Sequence, residues 1–352
     1  MTGQRVASAT FLELMRPYAD VEHVDVGSRS PRPVAGEFDA GYIRRSVQGL
    51  RRVREAIGRA PEATVYFCPS TSGWGLGRDL ATVAALRGVR RIVAHVHAGD
   101  HERQFRGWRA PLARWIARRV DAYCVPTETQ ARALRPVVAP TPVWAVTNVV
   151  DPALRFDQAE LDAVFAERRR SPGLEVLYLS NLIPSKGYAD VLRALALAPE
   201  DVRATFAGSW ADPQDRVAFM EERERLGLTR RARVLDSVYD RAEARALLRA
   251  ADVVCLPTTY PHEAQPLAVL EGMAAGCPVV STAHASLPEY VLDGETGLVV
   301  PPSDPAAIAR ALTALTDGDA RERMGRRAHA VATERFAPEC AIDPLLQSLG
   351  IR

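Results

Sequence analysis

Eleven short apolar runs, rich in β-branched residues, punctuate the sequence at intervals too wide for hairpins, and helical periodicity fills most of the gaps. In the first half they are VEHVDV (21–26), TVYFCP (64–69), RIVAHVH (91–97), AYCVPT (122–127) and PVWAVT (142–147). In the second half they are EVLYLS (175–180), ATFAG (204–208), RVLDSV (233–238), VVCLP (253–257), PVVST (278–282) and TGLVVP (296–301). Strands that far apart pair in parallel through helical crossovers, which predicts an α/β protein with sheets wrapped by helices. Helices are expected over Gln4–Arg16, Gly41–Arg59, from a Gly-rich turn (SGWGLG, 72–77) to Leu86, over Gly107–Arg119 and over Glu128–Pro136. Around Asn148–Asp151 the pattern restarts, and residues 152–173 read as a polar helical connector. The expected organisation is two Rossmann-like domains facing a cleft, 1–150 and 151–335, with a tail, 336–352, that can cross back. In such sheets ligands bind at the carboxyl ends of strands. A domain of this kind begins with a central strand and a Gly-rich turn; here Thr2 and Gly3 stand in what reads as the turn. The first strand of the N-terminal domain is therefore read as missing, which a start codon assigned too late explains better than a domain that tolerates the loss.

Composition narrows the class. The 352 residues are 47% hydrophobic and 25% charged, with a net charge of +2, which argues neither for nor against nucleic acid. With no run of 18 apolar residues and no apolar core at the N-terminus, a cytoplasmic location is the default expectation. Five widely spaced cysteines (Cys68, Cys124, Cys255, Cys277, Cys340) read as reduced thiols, the first four in or beside apolar runs, rather than as a disulfide or zinc framework. Of the 45 basic residues, 44 are arginine. Lys186 is the single exception, a compact ammonium in a chain that otherwise uses arginine.

The stretch with most chemistry is YPHEAQPLAVLEGMAAG (260–276), where Glu263 precedes a predicted helix and Glu271 lies inside it. Gln265 is placed to serve as N-cap with Pro266 at the first helical position, leaving the amides of Leu267 and Ala268 unpaired at the positive end. Such an end attracts phosphate. Were the segment helical throughout, eight residues would rise ~12 Å and rotate ~80°, placing both carboxylates roughly on one side. A ligand with a diphosphate at its middle, such as a sugar nucleotide, could meet one acid at each end.

Two other stretches carry alternatives. HVHAGDH (95–101) holds His95, His97, Asp100 and His101; on a strand His95 and His97 share a face, so a metal site, a structural histidine and a substrate contact all stand open. RQFRGWRAPLARWIARRV (103–120) sets Trp108, Leu112, Trp115 and Ile116 at helical spacing among arginines. It reads either as an amphipathic helix packed on its sheet or as a peripheral contact with an anionic membrane face.

Four motifs in order resemble the family-4 retaining glycosyltransferases of the GT-B fold, over roughly 90–335 and more weakly before. HEAQPLAVLEGMAAGCPVVST (262–282) is similar to the family's acid, seven residues, acid signature and the strand after it. LYLSNLIPSKGYADVLRAL (177–195) resembles its phosphate-binding loop and helix, LPEYVLDGETGLVVPPSDPAAIARAL (287–312) the tail of the donor domain, and NVVD (148–151) the hinge. The resemblance implies transfer of a sugar from a nucleoside-diphosphate sugar to a sugar, lipid-linked or natural-product hydroxyl, with retention and without a metal. It implies catalytic roles for Glu263 at the transferred sugar, Lys186 at the diphosphate and His97 from the acceptor domain. Donor contacts would come from Gly3, Ser180, Asn181, Lys186, His262, Glu263, Gln265, Pro266, Leu267 and Glu271, the last on the ribose hydroxyls. Asn181 replaces an arginine common in the family, and Ala285 and Ser286 replace its glycine pair. The rival readings are a metal-dependent hydrolase built on His95, His97 and His101, and a nucleotide-binding partner without turnover.

Overall fold

Parallel pairing of short β-branched runs through helices is what the computed structural model shows, over residues 3–24, 40–70, 73–237 and 240–351. The chain divides into two units. Asn148–Cys340, joined by the first seven residues, forms one; Ser8–Thr147 with Ala341–Arg352 forms the other.

The N-terminal unit runs α1 (Gly3–Met15), α2 (Ala40–Arg59), β1 (Thr64–Phe67), α3 (Gly73–Ala85), β2 (Arg91–His95), α4 (Ala110–Ala117), β3 (Ala122–Val125), α5 (Glu128–Val138) and β4 (Val143–Ala145). Its strands are parallel in the order β1-β2-β3-β4, with Tyr66 opposite Val93 and His95 opposite Cys124. Three expectations are corrected here. Residues 21–24 of the run VEHVDV are irregular, the other two lying outside the described residues. The apolar run TVYFCP, which from its composition reads as a buried strand, is half-buried over Thr64–Phe67, the first strand in the sheet order. Of the glycine-rich segment, residues 73–77 do not turn: they are the start of α3, because Leu76, Leu80, Val83 and Leu86 make an apolar stripe that packs on the unit's core, and that burial outweighs roughly 1 kcal/mol of helix propensity lost per glycine.

The C-terminal unit runs α6 (Gln158–Arg170), β5 (Leu174–Leu179), α7 (Tyr188–Leu197), β6 (Val202–Ala207), α8 (Pro213–Arg225), β7 (Ala232–Leu235), α9 (Arg241–Ala250), β8 (Val253–Leu256), α10 (Leu267–Ala274), β9 (Val279–Thr282), β10 (Gly297–Val300), α11 (Pro305–Ala314) and α12 (Gly318–Arg335). The last helix, α13 (Pro338–Leu349), leads the chain back to the N-terminal unit. A capping box opens α6, with Asp157 and Glu160 exchanging side-chain and backbone bonds. All six strands are parallel in the order β10-β9-β8-β5-β6-β7. The order reverses at β5, which has β6 on one side and β8 on the other. A doubly wound sheet opens its ligand crevice at such a switch point.

Close packing sharpens that edge. A Cβ on Gly272 would lie 2.5 Å from Val254 Cγ2, so α10 settles directly on β8. Gly187, with φ of 82°, would put a Cβ 2.6 Å from the Pro257 carbonyl oxygen, so the turn before α7 presses on the end of β8. All five cysteines are free; Cys124, Cys255 and Cys277 are buried, Cys68 is half-buried and Cys340 exposed. Among the described residues no helix is long and apolar enough to cross a membrane.

Candidate functional site

The loops that leave β5 and β8 straddle the switch point and bring the lone lysine to the first acid. After β5 the chain makes one 3-10 turn, Pro184–Lys186, which Gly187 ends in left-handed conformation before α7 begins. The Lys186 ammonium lies 3.2 Å from Glu263 Oε2 and donates to Ser180 Oγ at 3.1 Å. It also sits 5.3 Å from the centre of the Tyr260 ring. Glu263 is 7% exposed, and its carboxylate accepts a second bond from Thr258 Oγ1 at 3.3 Å. Thr259 binds the Ser185 carbonyl through both its amide (2.7 Å) and its hydroxyl (3.1 Å), fastening the lysine loop to the acid's loop. The Tyr178 hydroxyl donates to the Lys186 carbonyl at 3.4 Å; burial, and next the Glu263 charge, push its phenol well above the usual range.

A row of side chains on β9 and the loop after it holds the Glu263 loop from behind. Ser281 donates to the Leu256 carbonyl (2.6 Å), Thr282 to that of Thr258 (2.5 Å), the His284 ring to that of Tyr260 (2.8 Å) and Ser286 to that of Ala264. Bonding to a carbonyl makes His284 Nε2 the protonated nitrogen. Ala285 has a φ of 51°, so alanine here keeps the left-handed turn that glycine adopts freely, and Ser286 adds a bond that glycine cannot make.

As the sequence suggests, Glu263 stands ahead of the helix, in irregular chain, and Glu271 inside it, since α10 starts at Leu267. One expectation about the acid signature is corrected. Pro266, not Gln265, occupies the N-cap position. Gln265 is used elsewhere: its side-chain oxygen accepts the Asn148 amide at 2.7 Å, and its carbonyl accepts Asn148 Nδ2 at 3.0 Å. The first intrahelical donors are Val269 and Leu270, which leaves the amides of Leu267 and Ala268 ahead of the first closed turn.

Glu271 projects from the first turns of α10 and is 8% exposed. Burial, reinforced by the neighbouring Asp151 carboxylate, pushes it up to about 7. Asp151 is itself committed, capping the Ala153 amide at 3.0 Å and pairing with Arg241 at 2.5 Å. Asn181 follows β5 and Ser180, whose carbonyl crowds Gly208 so closely that a Cβ there would lie 1.8 Å away. His262 packs edge-on to Tyr260 at 5.4 Å. The structure therefore assembles Ser180, Lys186, Tyr260 and Glu263 into one polar cluster. Tyr178, Thr258 and Tyr260 were not singled out from the sequence; for Tyr260 the signal was an aromatic ring three residues ahead of the acid.

Gly3 opens α1 rather than a turn. His97 follows β2 in the N-terminal unit and stacks on His95, with ring centres 4.2 Å apart. Tyr66 OH meets His95 Nδ1 at 2.5 Å, and burial holds His95 well below its ordinary range. His101 packs between Phe105 and Tyr123, its pKa lowered to about 4 by burial. Among the described residues no three His, Cys, Asp or Glu side chains converge where a metal ion could be held. The metal hydrolase reading therefore fails.

Comparison with known proteins follows the same division of the chain. A family model described as glycosyl transferases group 1 matches residues 162–331, and one described as glycosyltransferase family 4 matches residues 15–154. A D-inositol 3-phosphate glycosyltransferase of Corynebacterium glutamicum is 34% identical over 160 residues, 44% of this chain and 38% of the relative. A glycogen synthase of Mycobacterium tuberculosis is 29% identical over 259 residues, 70% of this chain and 59% of the relative. A phosphatidyl-myo-inositol mannosyltransferase of Mycobacterium leprae is 34% identical over 168 residues, 47% of this chain and 43% of the relative. The chain spans less than two thirds of the length of each of these relatives. Among solved structures, Anabaena Alr3699/HepE in complex with UDP and glucose superposes with a TM-score of 0.74 at 18% identity, covering 98% of this chain and 95% of that one. Sucrose-phosphate synthase from Thermosynechococcus elongatus gives the same TM-score and identity over 98% of this chain and 92% of its own. The two-sheet fold is shared with these proteins.

Proposed function

Because this chain belongs to the family-4 glycosyltransferases of the GT-B fold, with a family model matching each half, we propose that it moves a sugar from a nucleoside-diphosphate sugar to an acceptor hydroxyl, with retention at the anomeric carbon. The observation that carries this reading is the meeting of Lys186 with Glu263 at 3.2 Å over the switch point of the C-terminal sheet. Without a donor, the ammonium and carboxylate neutralise one another; a diphosphate entering there replaces Glu263 as the lysine's counter-charge. The amide ends of α7 and α10 add partial positive charge to the same edge.

In the proposed reaction the bond between the anomeric carbon and the β-phosphate oxygen breaks, and the acceptor oxygen bonds to that carbon on the same face. The acceptor proton passes to the departing phosphate oxygen, and nucleoside diphosphate leaves. Lys186 stabilises the charge gathering on phosphate, Glu263 holds the sugar's hydroxyls, and Glu271 holds the ribose. His97 is assigned a contact with the transferred sugar, and the chemistry is positioning and charge stabilisation without a metal. Complexes of a structural neighbour with UDP and UDP-glucose support a nucleotide-sugar donor. Relatives named for inositol and phosphatidylinositol substrates support a sugar or lipid-linked acceptor.

Glu263→Gln and Lys186→Ala are each expected to lower transfer by at least a hundredfold while cooperative melting persists. Near-normal rates in both variants would overturn the assignment. A thermal-shift screen across UDP, GDP and ADP identifies the base, since the bound nucleotide raises the melting temperature of the folded form by mass action. Binding of a nucleotide with no transfer to any acceptor would instead favour the non-catalytic reading.

A further inference from the structure

The segment 103–120 holds six arginines and no acidic residue, so it carries +6 where the whole chain carries +2, and the remainder of the chain is net −4. The structure divides its apolar residues into two sets that helical spacing alone did not separate. Ile116 is buried and Trp115 packs against the core of the N-terminal unit. Trp108 is 72% exposed, the most exposed large hydrophobic side chain among the described residues, and Leu112 is 37% exposed. The stripe is therefore half anchor and half unpartnered tip.

Most arginines of the same segment are exposed as well. Arg106, Arg114, Arg118 and Arg119 are exposed, and Arg109 lies 5.3 Å over the Trp108 ring. Arg119 lies 3.7 Å over Trp115. Among the described residues only Arg103 of the six is held in an ion pair, with Asp100 at 3.6 Å. An exposed indole with guanidinium groups at its flanks and no acid between them matches a surface that is anionic outside and apolar just beneath. An indole settles at that level of a bilayer and arginines draw it there.

We propose that Trp108 and Leu112, together with Arg106, Arg109, Arg114 and Arg118 of the same segment, dock the N-terminal unit on an anionic lipid surface. This deepens the proposed function, since it brings the enzyme to a lipid-linked acceptor; the docking itself does not depend on catalysis. One tryptophan-tipped basic turn gives reversible rather than permanent binding. Salt weakens it, because the attraction is screened within a Debye length.

The test is flotation of the full chain with phosphatidylcholine vesicles, alone or with one third phosphatidylglycerol. Binding is expected to the anionic vesicles, with loss of most of it at 0.5 M NaCl and little binding to the neutral ones. Trp108→Ala is expected to reduce the bound fraction several-fold, and Arg106→Glu with Arg114→Glu to abolish it. All variants should retain the wild-type thermal shift with nucleotide, which separates failure here from failure of the donor assignment. Absence of binding to anionic vesicles, or equal binding by the variants, would overturn the proposal. So would a concentration-dependent dimer lost in Trp108→Ala, which would make a second copy the occupant of this face.

Discussion

Burial sets the charge of Glu271 before any ligand arrives. Its pKa of about 7 means that near neutrality the carboxyl is divided between its two forms. The folded chain without ligand binds the extra proton between the ordinary carboxyl range and about 7, so this group's contribution to stability is greatest at acid pH and declines as pH rises through that window. A ribose diol, donating to the carboxylate, favours the ionised form and so draws the proton off on binding. Below pH 7 nucleotide affinity is therefore expected to weaken by up to tenfold per pH unit, as isothermal titration of UDP between pH 5.5 and 8 would show. Glu271→Gln should bind more weakly at pH 8 and lose this part of the slope. An unaltered slope in that variant would remove Glu271 from the ribose site. Both acids and the lysine could be singled out because the patterns that mark them are local: an acid before a helix, one inside it, and the sole lysine before a glycine. Gln265 was misread as a helix cap because its true partner, Asn148, lies 117 residues away, and no local rule reports a bond of that span.

Elements were legible where burial is periodic. Six runs in the second half became six strands because each alternates between an apolar core and helices that cover it. Glycine misled at α3, where local flexibility reads as a turn and only the stripe of buried leucines and valine shows otherwise. The same tension between local and distant forces explains the loop after β9. From sequence, Ala285 and Ser286 look like a loss of glycine freedom; in the fold, Ala285 itself takes a left-handed φ of 51° and Ser286 ties down the carbonyl next to Glu263. This bond positions the acid rather than touching substrate. Ser286→Ala is expected to cost about 1 kcal/mol of stability, the usual value of one buried hydrogen bond. The larger effect should be on kcat, a fall of about ten- to a hundredfold with donor KM nearly unchanged, because a small displacement of a reacting contact is felt mainly in the transition state. Ser286→Thr, which keeps the hydroxyl, should restore part of the rate. Equal loss in kcat and stability-matched controls elsewhere in the unit would reduce Ser286 to a packing residue.

At the scale of the molecule, the N-terminal unit is completed by the far end of the chain. Leu345, Leu346 and Leu349 are almost wholly buried, and Ser348 is fully so. Ser348 accepts the Cys124 thiol proton at 3.2 Å, its carbonyl accepts Arg91 Nε at 2.8 Å, and the Leu349 carbonyl accepts Thr64 Oγ1 at 3.3 Å, so three strands are tied to this last segment. Helical periodicity could announce α13 but not its destination, since which unit a terminal helix joins is decided by contacts more than two hundred residues apart. Each buried leucine contributes roughly 1.5–3 kcal/mol, so removing three approaches the whole net stability of a domain of this size. Deletion of residues 341–352 is therefore expected to unfold or loosen the N-terminal unit while the C-terminal unit keeps its core. Thiol labelling reads the difference: in the intact chain Cys340 is exposed and reacts, whereas Cys124 is buried with its pKa pushed up to about 12 and does not. The truncated chain should label at Cys124 within minutes, lose transfer, and still show a nucleotide-dependent thermal shift from the unit that carries Lys186 and Glu263. Protection of Cys124 in the truncated chain would mean that the N-terminal sheet stands without its C-terminal cover.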